Sequence, residues 1–295
     1  MWDFASVAAK VVGLFGIAAV VGGIFSLYLA RRLANAASEK VRIYMLAGTG
    51  VGFTATAVFF LLQVGAINQR GLGGMLDWQM GQILAQSSLG YSTAIRLGAF
   101  LLIACVILLN TTYHDGHKSD LRLRASHFLF FLTLCALAYS FLLTGHVTSL
   151  GIAAHIAIAL HVIAVFLWIG TLWPLHAFCS LASKDTEALQ SVMVGFGKLA
   201  MVIVAVLISA GLFFLYSLLE SWRDIYETPY GRGILLKLAA VSALLLLGAF
   251  NKFRLVPKMI DRNGPKLLAR SIKIEMALAG FIFAITSYLT IIVGI

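Results

Sequence analysis

Apolar residues recur along the chain in long runs separated by short polar stretches, and no run alternates with the period of a half-buried strand. The runs cover roughly 5–30, 43–66, 91–110, 125–148, 153–178, 198–219, 231–250 and 272–294. About 20 apolar residues suffice for a helix to cross the hydrocarbon of a bilayer. The pattern therefore predicts an all-α, polytopic membrane bundle of about eight transmembrane helices. The hydrophilic connections, 67–90, 111–124, 179–197, 220–230 and 251–271, are loop-sized, so the prediction is one bundle over 1–295 with no separate soluble domain. The first run lacks a short basic leader and a small-residue cleavage site, so it is read as the first span.

Composition agrees. Of 295 residues, 61% are hydrophobic and 12% charged, and the mean hydropathy of +0.95 lies far above that of soluble domains. Basic residues set an orientation. Arg31, Arg32, Lys40, Arg42, Lys118, Arg122, Arg124, Lys184, Lys198, Lys252, Arg254, Lys258, Arg262, Lys266, Arg270 and Lys273 fall on one side. Lys10, Arg70, Arg223 and Arg232 fall on the other, with Arg96 and Lys237 inside spans. The positive-inside rule places the first group in the cytoplasm and both termini in the periplasm. That topology accounts for the net charge of +10, so the charge gives no reason to invoke nucleic acid. Cys105, Cys135 and Cys179 predict no disulfide and read as small apolar packing residues.

Close helix packing is signalled by Gly48-x-x-x-Gly52 and by Gly13, Gly16, Gly22 and Gly23 in the first span. In the outer loop, Met75, Asp77, Trp78 and Met80 offer thioethers and an indole to a cuprous ion, but interfacial anchoring explains them better. His114 and His117 in "YHDGHKSD" read as solvated loop histidines.

The chemistry concentrates in "TGHVTSLGIAAHIAIALH", residues 144–161. A short turn near Thr148–Gly151 makes spans four and five adjacent and antiparallel. At about 1.5 Å per residue, His146 and His155 lie near the outer surface and His161 about two turns deeper. His127 and His176 are matched in depth at the cytoplasmic end. A histidine within a membrane bundle is a functional candidate, and neutral imidazole ligates copper or haem iron. His155 and His161 are separated by about 120° around the helix. His161 shares its stripe with Ala164, Val165, Trp168 and Leu172, while His155 aligns with Ala159, Val162 and Phe166.

From about residue 91 to 295 the chain resembles the CopD family of bacterial copper-resistance and copper-uptake membrane proteins. The matching pieces are Gly145-His146, Leu160-His161 with Trp168-Ile169-Gly170, "SAG" at 209–211, "TPYGR" at 228–232, "LLKL" with Lys237, Asn251, and "RSIKIE" at 270–275. Two differences stand out: Thr171 replaces a second glycine after "WIG", and there is no methionine-rich arm or fused periplasmic copper domain. The resemblance implies an inner-membrane protein that passes copper toward the cytoplasm beside a periplasmic CopC-type copper-binding protein. It implies His146 and His161 as metal positions, with His155 a local addition.

The other use of such histidines is a haem-b redox protein, a membrane oxidoreductase instead of a transporter. "LHVIAVFLWIGTLWPLHAF" is also similar to a histidine-bearing segment of small haem-binding membrane protoporphyrinogen oxidases, over one helix and the "GRGILLKL" region. His146 with His161, and His127 with His176, would then ligate iron, and Arg96 or Lys237 would meet the propionates. Glu275 is expected to pair with Lys273 or Arg270. A metal-free assembly subunit leaves the histidines unexplained, and no nucleophile–base pair, phosphate loop or carboxylate dyad supports hydrolysis.

Overall fold

Hydropathy marks where a helix enters lipid, not where the helix begins. The computed structural model describes residues 1–33, 35–111, 120–144, 151–180, 186–218 and 223–294, and every regular element among them is helical. In chain order these are α1 (Trp2–Ala30), α2 (Asn35–Asn68), α3 (Trp78–Ala85), α4 (Ser88–Thr111), α5 (Asp120–Ser140), α6 (Ile152–Cys179), α7 (Thr186–Leu218), α8 (Asp224–Glu227), α9 (Pro229–Phe250) and α10 (Gly264–Tyr288). Within lipid the backbone has no water to bond, and a helix satisfies its N–H and C=O groups internally. Seven of these helices are long and apolar enough to span a bilayer. The chain is thus an all-α, multi-pass membrane protein. α5 covers the start of the predicted fourth span, and residues 145–150, with the turn expected there, lie outside the described residues.

Three helices start well ahead of their apolar runs at 43, 198 and 272. α2 begins at Asn35, α7 at Thr186 and α10 at Gly264. Each extension begins a buried stripe at helical spacing that continues into the run: Ala37 and Val41 lead to Met45; Leu189, Val192, Met193 and Phe196 precede 198; Leu268 leads to Ile272. The polar residues between them lower the mean hydropathy, so an apolar run misses these turns. The connection 67–90 is also structured, with a 3₁₀ turn at Leu72–Leu76 followed by α3. The Asp77 carboxylate caps α3, accepting from the Met80 amide at 2.9 Å and from Asn68 Nδ2 at 2.9 Å. Those bonds, the Met80 amide first, hold its pKa below the usual carboxylate range.

α1 is the central helix. Inside its most apolar stretch 61% of residues are buried, against at most 39% in the other spans. Its glycines make this possible, because a Cβ on Gly16 would strike the Gly52 backbone of α2 and one on Gly22 would overlap the Gly170–Thr171 backbone of α6. Small residues at crossings are how membrane helices gain van der Waals contact when lipid tails are as apolar as leucine. Beyond α6, α1 meets α10 in an edge-on contact of Phe15 with Phe283, 5.1 Å between ring centroids. Lys10 Nζ donates to Thr290 Oγ1, 2.6 Å away and just past the end of α10. α1 and α10 therefore run antiparallel, and the chain ends lie at the same end of the bundle. The three cysteines are unpaired. Cys179 is buried as expected of a packing residue, but Cys105 and Cys135 are exposed on the bundle's outer surface.

Candidate functional site

α6 carries Pro174 in its interior. Proline has no N–H for the carbonyl four residues earlier, which would leave the Gly170 oxygen unsatisfied. Tyr44 of α2 supplies the missing donor, its hydroxyl bonding Gly170 O at 3.0 Å while its ring stacks on Trp173 at 4.7 Å between centroids. Thr171, which stands where the resemblance calls for glycine, is fully buried and turns its hydroxyl back onto the Leu167 and Trp168 carbonyls. α6 thus keeps its polar groups satisfied at this crossing while directing one stripe, His161, Ala164, Trp168 and Leu172, into the bundle. Ala164, Trp168 and Leu172 are buried.

At the upper end of that stripe, His161 packs against α7. A Cβ at Gly211 would make ordinary contact with the imidazole, 3.5 Å from Cε1 and 3.7 Å from Nδ1, so the ring lies against the glycine of "SAG". The Leu207 backbone bonds the ring from the same helix, and Lys237 of α9 lies within electrostatic reach. His161 Nδ1 is buried and has no hydrogen-bond partner among the described residues. A buried ring nitrogen without a partner is rare and costly, and it is the donor atom a metal would take.

Lys237 is placed by the start of its helix. Thr228 caps α9, its Oγ1 accepting from the Gly231 amide at 2.9 Å, and Pro229 occupies the first turn, where a missing N–H costs nothing. "TPYGR" is therefore a helix start that sets Lys237 about two turns below it. On the same face of α9 follow Leu244, Gly248 and Asn251, with Leu244 and Asn251 buried.

At Gly248 the α6 stripe meets α10. A Cβ there would contact Trp168 Cζ2 at 3.4 Å and Glu275 Oε1 at 3.6 Å, so indole and carboxyl converge over one glycine. Glu275 is 4% exposed. Its partner is Asn251, whose Nδ2 donates to Oε1 at 2.8 Å, and Ser271 Oγ donates in turn to Asn251 Oδ1. This corrects the expected pairing with Lys273 or Arg270. The carboxyl turns inward on α10, and no charged side chain acts on it among the described residues. At Asn251 the helix widens into one π turn, Asn251–Leu255, closed by the Val256 amide on Asn251 O at 2.8 Å. Such turns often mark functional positions.

The remaining predicted positions are distributed as follows. His146, His114 and His117 lie outside the described residues. His155 is half-buried in the first turn of α6. His127 is exposed on α5, whereas His176 is half-buried with Lys273 of α10 as its charged neighbour. Arg96 bonds Ser140 Oγ at 2.9 Å and stands over the Phe141 ring. Met75 packs near Gly65 and Trp2, while Trp78 is exposed. Among the described residues no three His, Cys, Asp or Glu side chains are grouped to hold one metal ion. Sequence reading missed Trp168 and the Asn251–Ser271–Glu275 chain as one cluster. The signal was present in the shared α9 face of Lys237, Gly248 and Asn251.

Comparison with known proteins adds one match. The family model of copper resistance protein D covers residues 190–289, from the first turns of α7 to the end of α10. Gly211, Lys237, Gly248, Asn251, Ser271 and Glu275 fall within it, and His161 packs against it from α6. No curated protein and no solved structure matches the chain.

Proposed function

We propose that this membrane protein carries copper as its cargo across the bacterial inner membrane, from the periplasm toward the cytoplasm. The supporting observation is the orphaned Nδ1 of His161, buried against the copper resistance protein D segment. In this reading His146 and His155 meet the ion at the outer mouth, and a CopC-type periplasmic protein delivers it. His161 takes it deeper with a nitrogen suited to copper. Trp168 offers its ring face as a cation passes, and the Asn251–Ser271–Glu275 cluster, built of oxygen and amide groups that bind copper less well, receives it for release. Successive weak sites let an ion enter and leave.

The reading is tested by copper uptake into proteoliposomes made with the wild type, His146→Ala and His161→Ala. We expect His161→Ala to lose most of the flux and His146→Ala to require more external copper for the same rate. Unchanged uptake in both variants overturns the proposal.

A further inference from the structure

On the outside of the bundle, away from the His161 stripe, α1, α2, α6 and α10 border a groove of about 320 Å³. Its floor is made of small residues, Gly16, Gly48 and Ala279, so no side chain rises to fill it. One wall is held in place. Tyr44 stacks on Trp173 with the rings 11° from parallel, and its hydroxyl is bonded to the Gly170 carbonyl. Met276 closes the α10 side, and the rim is open, with Phe15 38% and Trp173 37% exposed. Among the described residues none that lines the groove is charged. In a bilayer such a groove fills with hydrocarbon, since an empty one forfeits the contacts of its lining atoms.

Charge begins one helical turn away, at one end only. Lys40 precedes Tyr44 by four residues, Lys273 precedes Met276 by three, and His176 follows Trp173 by three. Residues three or four apart lie on one face of a helix, about one turn or 5.4 Å along it. α2 begins where α1 ends, α10 runs back toward the termini, and Lys40 Nζ donates at 3.2 Å to Ser180 Oγ, just past the end of α6. The three steps therefore point the same way, toward the end of the bundle opposite the termini, and they start from residues that share one groove. The corresponding steps toward the termini end on Gly48, Ile169 and Gly280, so the groove is apolar at one end and basic at the other. Neighbouring carboxylates face elsewhere. Glu275, beside Met276, is bonded to Asn251 inside the bundle, and Glu39 lies about 100° around α2 from Lys40. Lys40 Nζ makes its one hydrogen bond among the described residues to Ser180, which leaves donors for a further acceptor.

We infer that this groove binds one anionic phospholipid, an acyl chain lying on Gly16 and Gly48 against the Tyr44–Trp173 wall and the phosphate meeting Lys40, His176 and Lys273. Charge complementarity selects the occupant. The groove alone would accept the chain of any lipid, whereas a basic mouth one turn beyond it favours an anionic headgroup. The positive-inside rule assigns that mouth to the cytoplasmic leaflet. None of these residues belongs to the proposed copper path, so the inference does not rest on it.

The test uses full-length protein, delipidated and returned to nanodiscs of mixed phosphatidylcholine and phosphatidylglycerol, with retained lipid counted by native mass spectrometry. We expect one phosphatidylglycerol to be held in preference to phosphatidylcholine. Lys40→Gln combined with Lys273→Gln should lower that preference by roughly thirtyfold, while Lys40→Arg with Lys273→Arg should keep it. Ala47→Phe fills the groove from its exposed side and should release the lipid with the basic residues intact. Equal retention of the two lipids by the wild type overturns the inference, whether or not the variants fold. So does a preference that the glutamine pair leaves unchanged. A dimer that Ala47→Phe disrupts also overturns it, by giving the groove to a second copy of the chain.

Discussion

The two ends of the α6–α9 stripe solve different problems. At the upper end, His161 and Lys237 bring nitrogen and positive charge together, and Nδ1 of the imidazole has no partner. At the lower end, Glu275, Asn251 and Ser271 form a directed chain of hydrogen bonds in which hydroxyl, amide and carboxyl are fitted to one another. The first is incomplete as a piece of protein structure, and the second is nearly self-sufficient. An incomplete site waits for something, whereas a completed network can be explained by the protein alone. The upper end is therefore where cargo should matter most, and the lower end is where stability and cargo compete.

Several substitutions would break or sharpen this contrast. The largest effect should come from Gly211→Val beside the upper site, whose γ-methyls extend beyond a Cβ already in contact with the imidazole; we expect copper flux to fall about as far as in His161→Ala, with helix content by circular dichroism retained. Glu275→Ala comes next, since it removes the acceptor and leaves the Asn251 amide buried without a partner, at a cost of about 1–3 kcal/mol in unfolding measurements. Glu275→Gln keeps an acceptor for Asn251, so it should lose well under half of that stability while still lowering flux. Equal losses of stability in the alanine and glutamine variants would show that the carboxyl serves packing alone. Tyr44→Phe should cost about 0.5–1.5 kcal/mol by stripping the Gly170 carbonyl of its donor, with little direct effect on metal binding. Gly248→Ala should be mildest, because the added methyl would make ordinary contacts with Trp168 and Glu275; a tenfold loss of flux there would mean that ring and carboxyl must approach one another during passage.

Much of this architecture was legible in the order of apolar and polar residues. Seven of the predicted spans and the glycine crossings of α1 with α2 were readable because they depend on composition and on short-range periodicity. His161 and Lys237 could be singled out because a histidine and a lysine within lipid are conspicuous by residue type alone. The early starts of α2, α7 and α10 were missed because their buried stripes are diluted by polar residues of the opposite face. The partner of Glu275 was misjudged for a different reason. Lys273 and Arg270 are close in sequence, but two residues along a helix turn a side chain by about 200°, and the amide that reaches the carboxyl comes from another helix. Long-range compensation such as Tyr44 covering for Pro174 has no local signature at all.

The glycine crossings of α1 carry a mechanical consequence. With Gly16 seated on α2, Gly22 seated on α6, and Tyr44 bonded across from α2 to α6, these three helices have little freedom to slide independently. In the copper-carrier reading proposed above, alternation between outward and inward openings would treat them as a stator and move α7 and α9 past them. Spin labels on the lipid-facing sides of α1 and α6 should keep one separation throughout the transport cycle, while a pair on α6 and α9 should report two.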